Sequence, residues 1–331
     1  NFTYPQVWRS TLAFEAMLPG GIKATLEGMF TKNLNNVRYR NYALVKAGEK
    51  DYGNGEVRPI YKQRPDARLY SSVIALENTD KGYSYNFTAS LSKTFAFGLD
   101  ASVSYTYGMT RGSNDGASSI AKSNWEYNYS NDINADEIGY SSNDLRHRLL
   151  AQLNYRVEYG KNFATTIGIV YNGQSGDRYS IIANNDLNAD GSRNDLSYIP
   201  RTATTVKGSA ISYEDFLNQN PDIAKFAGRI TERNGFVTPF YHRFDVHFAQ
   251  DFFVNVGGRR HTLQLNADVI NFGNLLNRAW GMNPYILYSS ISPITEKADG
   301  TYEFNLRTEK PWSYSDISSR WRAQVGIKYI F

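Results

Sequence analysis

The chain is 331 residues long and 41% hydrophobic, and its 36 Lys and Arg against 32 Asp and Glu leave a formal charge of +4. A low mean hydropathy and the lack of any run of about 18 apolar residues exclude a bundle of membrane-crossing helices. The small charge, without a Lys/Arg run, gives nucleic acid no footing, and the absence of Cys rules out disulfides and thiol chemistry.

Residue 1 opens on NFTYPQVW, with neither a basic start nor an apolar h-region, so a secreted protein would stand here processed or truncated. Strands are predicted over 6–18 and 21–33, joined by the tight LPGG, and then over about 74–95. In that third strand Tyr83, Tyr85, Phe87, Ala89 and Leu91 oppose Ser84, Asn86, Thr88 and Ser90. After AFG comes 98–111, where Leu99, Ala101, Val103, Tyr105 and Tyr107 alternate with Asp100, Ser102, Ser104 and Thr106. The next pair, 143–158 and 163–176, is joined by EYGKN, and 237–253 and 259–272 by NVGGR. The chain closes on SRWRAQVGIKYIF, with Trp321, Ala323, Val325, Ile327, Tyr329 and Phe331 on one face. Period two is the signature of a strand.

The connections alternate short and long. Residues of roughly 34–70, 112–142, 177–236 and 274–318 are predicted to be long loops, too long for the interior of a compact soluble domain. Strands of about 10 residues, aromatics near their ends, polar residues on the second face and loops long on one side only fit an all-β, transmembrane antiparallel β-barrel in the outer membrane of a Gram-negative bacterium. Arg146, Arg148, Arg156, Arg243, Arg320, Arg322 and Lys328 would face the lumen with Asp100, Glu158, Asp245, Asp251 and Asp268. Nine strands are expected, whereas bacterial single-chain barrels have even counts. An open edge in lipid leaves backbone groups unpaired, so the expectation is the C-terminal part of a larger barrel.

The stretches DKGYSYNFTASLSKTF, GLDASVSYTYG, NNDLNADGSRNDLSYIPR, RFDVHFAQDF and LNADVINFGNLLNR resemble the C-terminal barrel of Oar-like TonB-dependent receptors. That resemblance implies a 22-stranded barrel occluded by an N-terminal plug, neither the plug nor a TonB box being present in these residues. It implies as partners the N-terminal strands and plug, TonB acting through the plug, the outer-membrane assembly machinery, lipopolysaccharide and a surface lipoprotein. The C-terminal octet resembles the assembly signal of such barrels, mapped on Gln324, Gly326, Tyr329 and Phe331.

The sharpest local motif is DLNADGSRND. Asp186, Asn188 and Asp190 occupy positions 1, 3 and 5 of an EF-hand-like loop and Gly191 position 6, the pattern of a Ca²⁺ loop. Position 12 is Ser197 and not Glu, with Asp195 as the available substitute. A plain loop of Asx turns fits the same residues, and both readings stay open here. The four His form no metal site, since His242 and His247 fall on opposite faces of one strand. GQSG (173–176) lacks the spacing of a nucleophile elbow, so no catalysis is expected. The loop 177–236 carries a helical stretch broken by Pro221, and SNWEYNYSND and RAWGMNPYILY add aromatics that could stack on a ligand or pack the loops. The residues thus read as barrel wall and ligand-binding loops of a receptor, with a porin-like or adhesin barrel and a soluble β-rich carbohydrate-binding protein or hydrolase as the competing classes.

Overall fold

The computed structural model describes residues 2–67, 69–307 and 310–331. Nine long strands follow in chain order: β1 (Gln6–Leu18), β2 (Ile22–Asn41), β3 (Tyr83–Thr94), β4 (Leu99–Gly112), β5 (His147–Tyr159), β6 (Phe163–Gln174), β7 (Tyr241–Val256), β8 (Arg259–Ile270) and β9 (Arg322–Ile330). Each is antiparallel to the next, in an unbroken meander. Among the described residues no ladder joins β1 to β9, so the sheet is open.

The pleat sorts the alternating residues onto two unlike faces. On one, Leu12 (80% exposed), Val325 (81%) and Ile327 (75%) stand without a covering layer, in company with Phe14, Phe87, Phe244 and Leu263. Burying one such side chain is worth about 1.5–3 kcal/mol, so a continuous sheet of them calls for an apolar solvent. The opposite face is hydrogen-bonded across strands. Thr88 meets Thr106 at 3.0 Å, Arg156 donates to Asp251 at 2.8 Å, Gln264 donates to the same carboxylate at 2.8 Å, and His247 Nδ1 lies 2.6 Å from Asp268.

At one end the strands turn tightly. Gly98 holds φ +93°, and a Cβ there would fall 2.2 Å from the carbonyl oxygen of Arg156, so the β3–β4 turn admits no larger residue. At the other end the connections are long, and here the predicted boundaries change. β2 runs on to Asn41, eight residues past its predicted end. It does so because a separate strand, Ile74–Thr79, pairs with Asn36–Asn41 while β3 pairs with Lys23–Lys32. The predicted strand 74–95 is therefore two, parted at Gly82, whose φ is +106°. The predicted loop 34–70 contains a hairpin, Leu44–Asp51 with Val57–Gln63. β5, β7 and β9 begin at His147, Tyr241 and Arg322, later than their periodicity suggests. Arg320 thereby leaves the sheet: it caps a short helix, Asp316–Ser319, and pairs with Asp316 at 2.5 Å.

Candidate functional site: a folded cap over the strand ends

The long connections fold on one another. Two short helices, Tyr213–Gln219 and Pro221–Ala224, replace the broken helical stretch of the sequence. Ser212 caps the first by accepting from the Asp215 N–H at 3.0 Å, and Pro221 starts the second, where its missing N–H costs nothing. Their apolar sides place Tyr213, Phe216 and Ile223 against Ile181, Phe236 and Phe304 in a fully buried core drawn from residues 179–304. A second, smaller core joins Tyr61, Trp125 and Ile133. Trp125 of the SNWEYNYSND segment is thus packing, while Trp280 of RAWGMNPYILY stays exposed.

Charges are buried in the same loops. Arg58 and Asp195 are both 0% exposed, with Nη1 to Oδ1 at 2.6 Å, and the second Asp195 oxygen accepts from the Leu187 N–H at 2.7 Å. Arg178 donates to Asp144 at 2.6 Å and to the Asn234 carbonyl at 2.9 Å. Arg233 is held by the carbonyls of Gly112 and Ser113 and by Asn128, and burial lowers its pKa. These pairs lie far apart in sequence, 137 residues for Arg58 and Asp195, and no local pattern announces them.

Two polar clefts meet at Arg233 and Tyr129. One, of about 560 Å³, is lined by Glu56, Asp136, Glu137 and Glu232 with Lys81. The other, of about 610 Å³, is lined by Asp115, Asn128, Tyr127 and Ser142. Burial raises the pKa of Glu137, and the nearby Asp132 adds to the rise. Such a surface suits a polar ligand carrying hydroxyls or positive charge. A smaller apolar crevice of about 310 Å³ opens beside Phe240, Phe244 and Trp280, on the side of the exposed apolar face.

The loop 186–195 lies at the surface of the cap, with Asp186, Ala189, Gly191 and Arg193 exposed and Asn188, Asp190, Asn194 and Asp195 turned inward. Asp186 accepts from the N–H of Asn188 (3.2 Å) and of Gly191 (2.9 Å), Asn188 from that of Asp190 (2.9 Å), and Asp190 from that of Ser192 (2.7 Å). These are consecutive Asx turns. Among the described residues no three His, Cys, Asp or Glu side chains are grouped to hold a metal by themselves.

The exposed apolar face, the polar face behind it and the meander agree with one further finding: a family model for an outer membrane beta barrel domain matches residues 1–298. The chain belongs to that family. The barrel protein therefore resides in the outer membrane, where its apolar face meets lipid. Among the described residues no helix is long and apolar enough to cross a membrane; the crossing is made by strands. Among solved structures, the FrpB iron transporter from Neisseria meningitidis (F3-3 variant) is similar, with 9% identity, a TM-score of 0.34, and coverage of 99% of this chain and 35% of the transporter. A search of curated proteins found no match. The soluble class of readings falls with the family assignment.

In the barrel, the C-terminal residues sit on β9 next to β8. Gln324 is in register with Asp268 and Gly326 with Asn266. A Cβ on Gly326 would fall 2.4 Å from Asn266 Oδ1, so this glycine makes room for a lumen-side amide. On the lipid side the Tyr329 hydroxyl lies 2.7 Å from His261 Nδ1, and its ring stacks on Phe331 at 5.7 Å. His147 pairs with Tyr105 and His242 with Tyr171 in the same manner, at 2.7 and 2.8 Å. A Tyr or His ring with a polar tip suits the membrane–water boundary.

Proposed function

We propose that this barrel forms the wall and the ligand-capturing outer loops of a TonB-dependent receptor of the Oar-like kind. The observation that carries the reading is the cap. Its loops have a hydrophobic core of their own and enclose a polar cleft lined by Glu56, Asp136, Glu137 and Glu232. Loops that serve only to connect strands need no such core, whereas binding loops need a rigid scaffold. In outer-membrane barrels the short turns face the periplasm and the long loops the exterior, which puts the cap outside. The sequence resemblance supplies the rest: a plug and further strands complete the barrel, and TonB pulls the plug to open a path for captured ligand. On this reading the assembly machinery recognises Gln324, Gly326, Tyr329 and Phe331. Lipopolysaccharide surrounds the outer rim, and a surface lipoprotein can seat on the cap.

Ligand uptake by cells expressing the whole receptor tests the proposal. Uptake should be lost when TonB is removed, and the purified receptor should be closed in planar bilayers. A steady open conductance with uptake independent of TonB would identify a porin-like channel instead.

A further inference from the structure

We infer that the loop 186–195 is a Ca²⁺ site whose ligands are Asp186, Asn188, Asp190 and Asn194, and that the ion fastens three outer loops together. This goes beyond the receptor reading and does not depend on it.

The backbone is already wound as a cation loop. Three successive Asx turns curl residues 186–192, and Asp186 Oδ2 accepts from the N–H of Gly191 at 2.9 Å, five residues on. Gly191 holds φ +91°, as the sharp turn at the sixth position of such a loop requires. Asn188 and Asn194 are fully buried and Asp190 nearly so.

The second, independent observation is what these buried groups lack. Asp190 Oδ2 and Asn194 Oδ1 are buried oxygens with no hydrogen-bond partner, and the amide nitrogens of Asn188 and Asn194 are buried without one as well. Unpaired buried acceptors are costly, and native structures rarely leave them so. Asp190 Oδ1 is engaged by Ser192, so its second oxygen is the free one. A cation between the two oxygens would supply the partner that Asp190 Oδ2 and Asn194 Oδ1 lack, with the amide nitrogens turned away from it.

The spacing names the ion. Asp186, Asn188, Asp190 and Asn194 are positions 1, 3, 5 and 9 of the loop, and the Ser192 carbonyl is position 7. Hard oxygen ligands at alternate positions, two of them neutral amides, make a flexible all-protein cage, which suits Ca²⁺ rather than the rigid and hydrated Mg²⁺. Asp195 is outside the set, because Arg58 and the Leu187 N–H take its two oxygens. The set holds only two carboxylates, Asp186 and Asp190; its other donors are two amides and a backbone carbonyl.

The loop is tied into its neighbours. The Asn188 carbonyl accepts from the Tyr61 N–H at 2.7 Å, and the Asn194 carbonyl accepts from the Ser130 N–H at 3.1 Å. Through these contacts an ion in the loop would order the hairpin around Tyr61 and the segment around Ser130.

The test uses the whole receptor in detergent, stripped with EGTA. Titration calorimetry with CaCl₂ should give one saturable site with Kd of about 10⁻⁵ to 10⁻³ M, the weaker range of known Ca²⁺ loops. Terbium should luminesce by transfer from nearby Tyr, and excess Ca²⁺ should quench it. Asp190→Asn and Asn194→Ala should each weaken binding at least tenfold while unheated gel mobility stays that of a folded barrel. Protease cleavage of the parent's outer loops should slow at saturating Ca²⁺. No saturable binding of either ion, or binding unchanged in both variants, would overturn the site. If neither variant folds, the parent decides: a cleavage rate unaffected by Ca²⁺ overturns the fastening role.

Discussion

Replacing Arg58 by Met should open the cap and leave the barrel intact. Arg58 and Asp195 form a wholly buried pair at 2.6 Å, and Arg58 also reaches the Leu196 carbonyl. Met fills much of the volume but leaves a buried carboxylate with one backbone N–H as its remaining partner. Removing one member of a buried pair costs about 3–5 kcal/mol, more than the pair itself is worth, because the survivor keeps its desolvation penalty. At about 1.4 kcal/mol per tenfold, local opening should become roughly 10²- to 4 × 10³-fold more frequent. Limited proteolysis in detergent reads that opening, and heat-modifiable gel mobility reads the barrel separately. Arg58→Met combined with Asp195→Leu should recover a large part of the loss, since no charge is then stranded. Cleavage of the single variant within about threefold of the parent would refute the claim that this pair holds the cap.

Phe304→Ala should loosen the same cap by about 3–5 kcal/mol, measured by the same cleavage, because Phe304 is fully buried against Phe216 and Tyr213. Glu137 has a pKa raised by burial above its unfolded value, so the folded cap binds that proton more tightly. Its contribution is complete below the unfolded pKa and is lost as pH rises through the folded one, so cap stability should fall with rising pH, and Glu137→Gln should flatten that fall. An unchanged slope in the cleavage profile would contradict it. Gly326→Val should cut the yield of folded barrel through its clash with Asn266, and adding Asn266→Ala should restore part of it. Val325→Arg should cost about 2–4 kcal/mol of barrel stability in a refolding titration if the position lies at mid-membrane, whereas a substitution at Lys328, on the other face, should cost little.

The barrel was legible because one physical rule governs it. Each residue of β4 or β9 meets lipid or lumen by parity alone, so period two survives in the sequence without reference to any partner. The break at Gly82 was harder: the apolar positions are even at Ile74 and Leu76 and odd from Tyr83 to Leu91, with the polar NTDKG between, and the pairing of both halves with one long β2 shows that two strands are present. The cap was the least legible part. Its core joins Tyr179 to Phe304 and its buried pair joins Arg58 to Asp195, contacts over more than a hundred residues that leave no local periodicity. The helix broken at Pro221 was visible, since Ser212 and Pro221 act locally. The acidic loop was visible as a motif, but the buried state of Asn194, which changes the ligand set, could not be read without the fold.

The same polypeptide obeys two opposite rules of solvation. In the strands Leu12, Val325 and Ile327 point outward, while in the cap Ile181, Phe216 and Phe304 point inward. The effect of a substitution is therefore set by its segment and not by its chemistry. A lysine in place of Phe304 would strand a charge in a dry core, whereas one on the polar face of β8 would join a wetted lattice. The two regions also differ in what they tolerate from the surroundings: a detergent that replaces lipid around the strands is the very agent that can invade the cap. Loss of the cap's fold in harsh detergent with full retention of the barrel is a natural property of such a molecule.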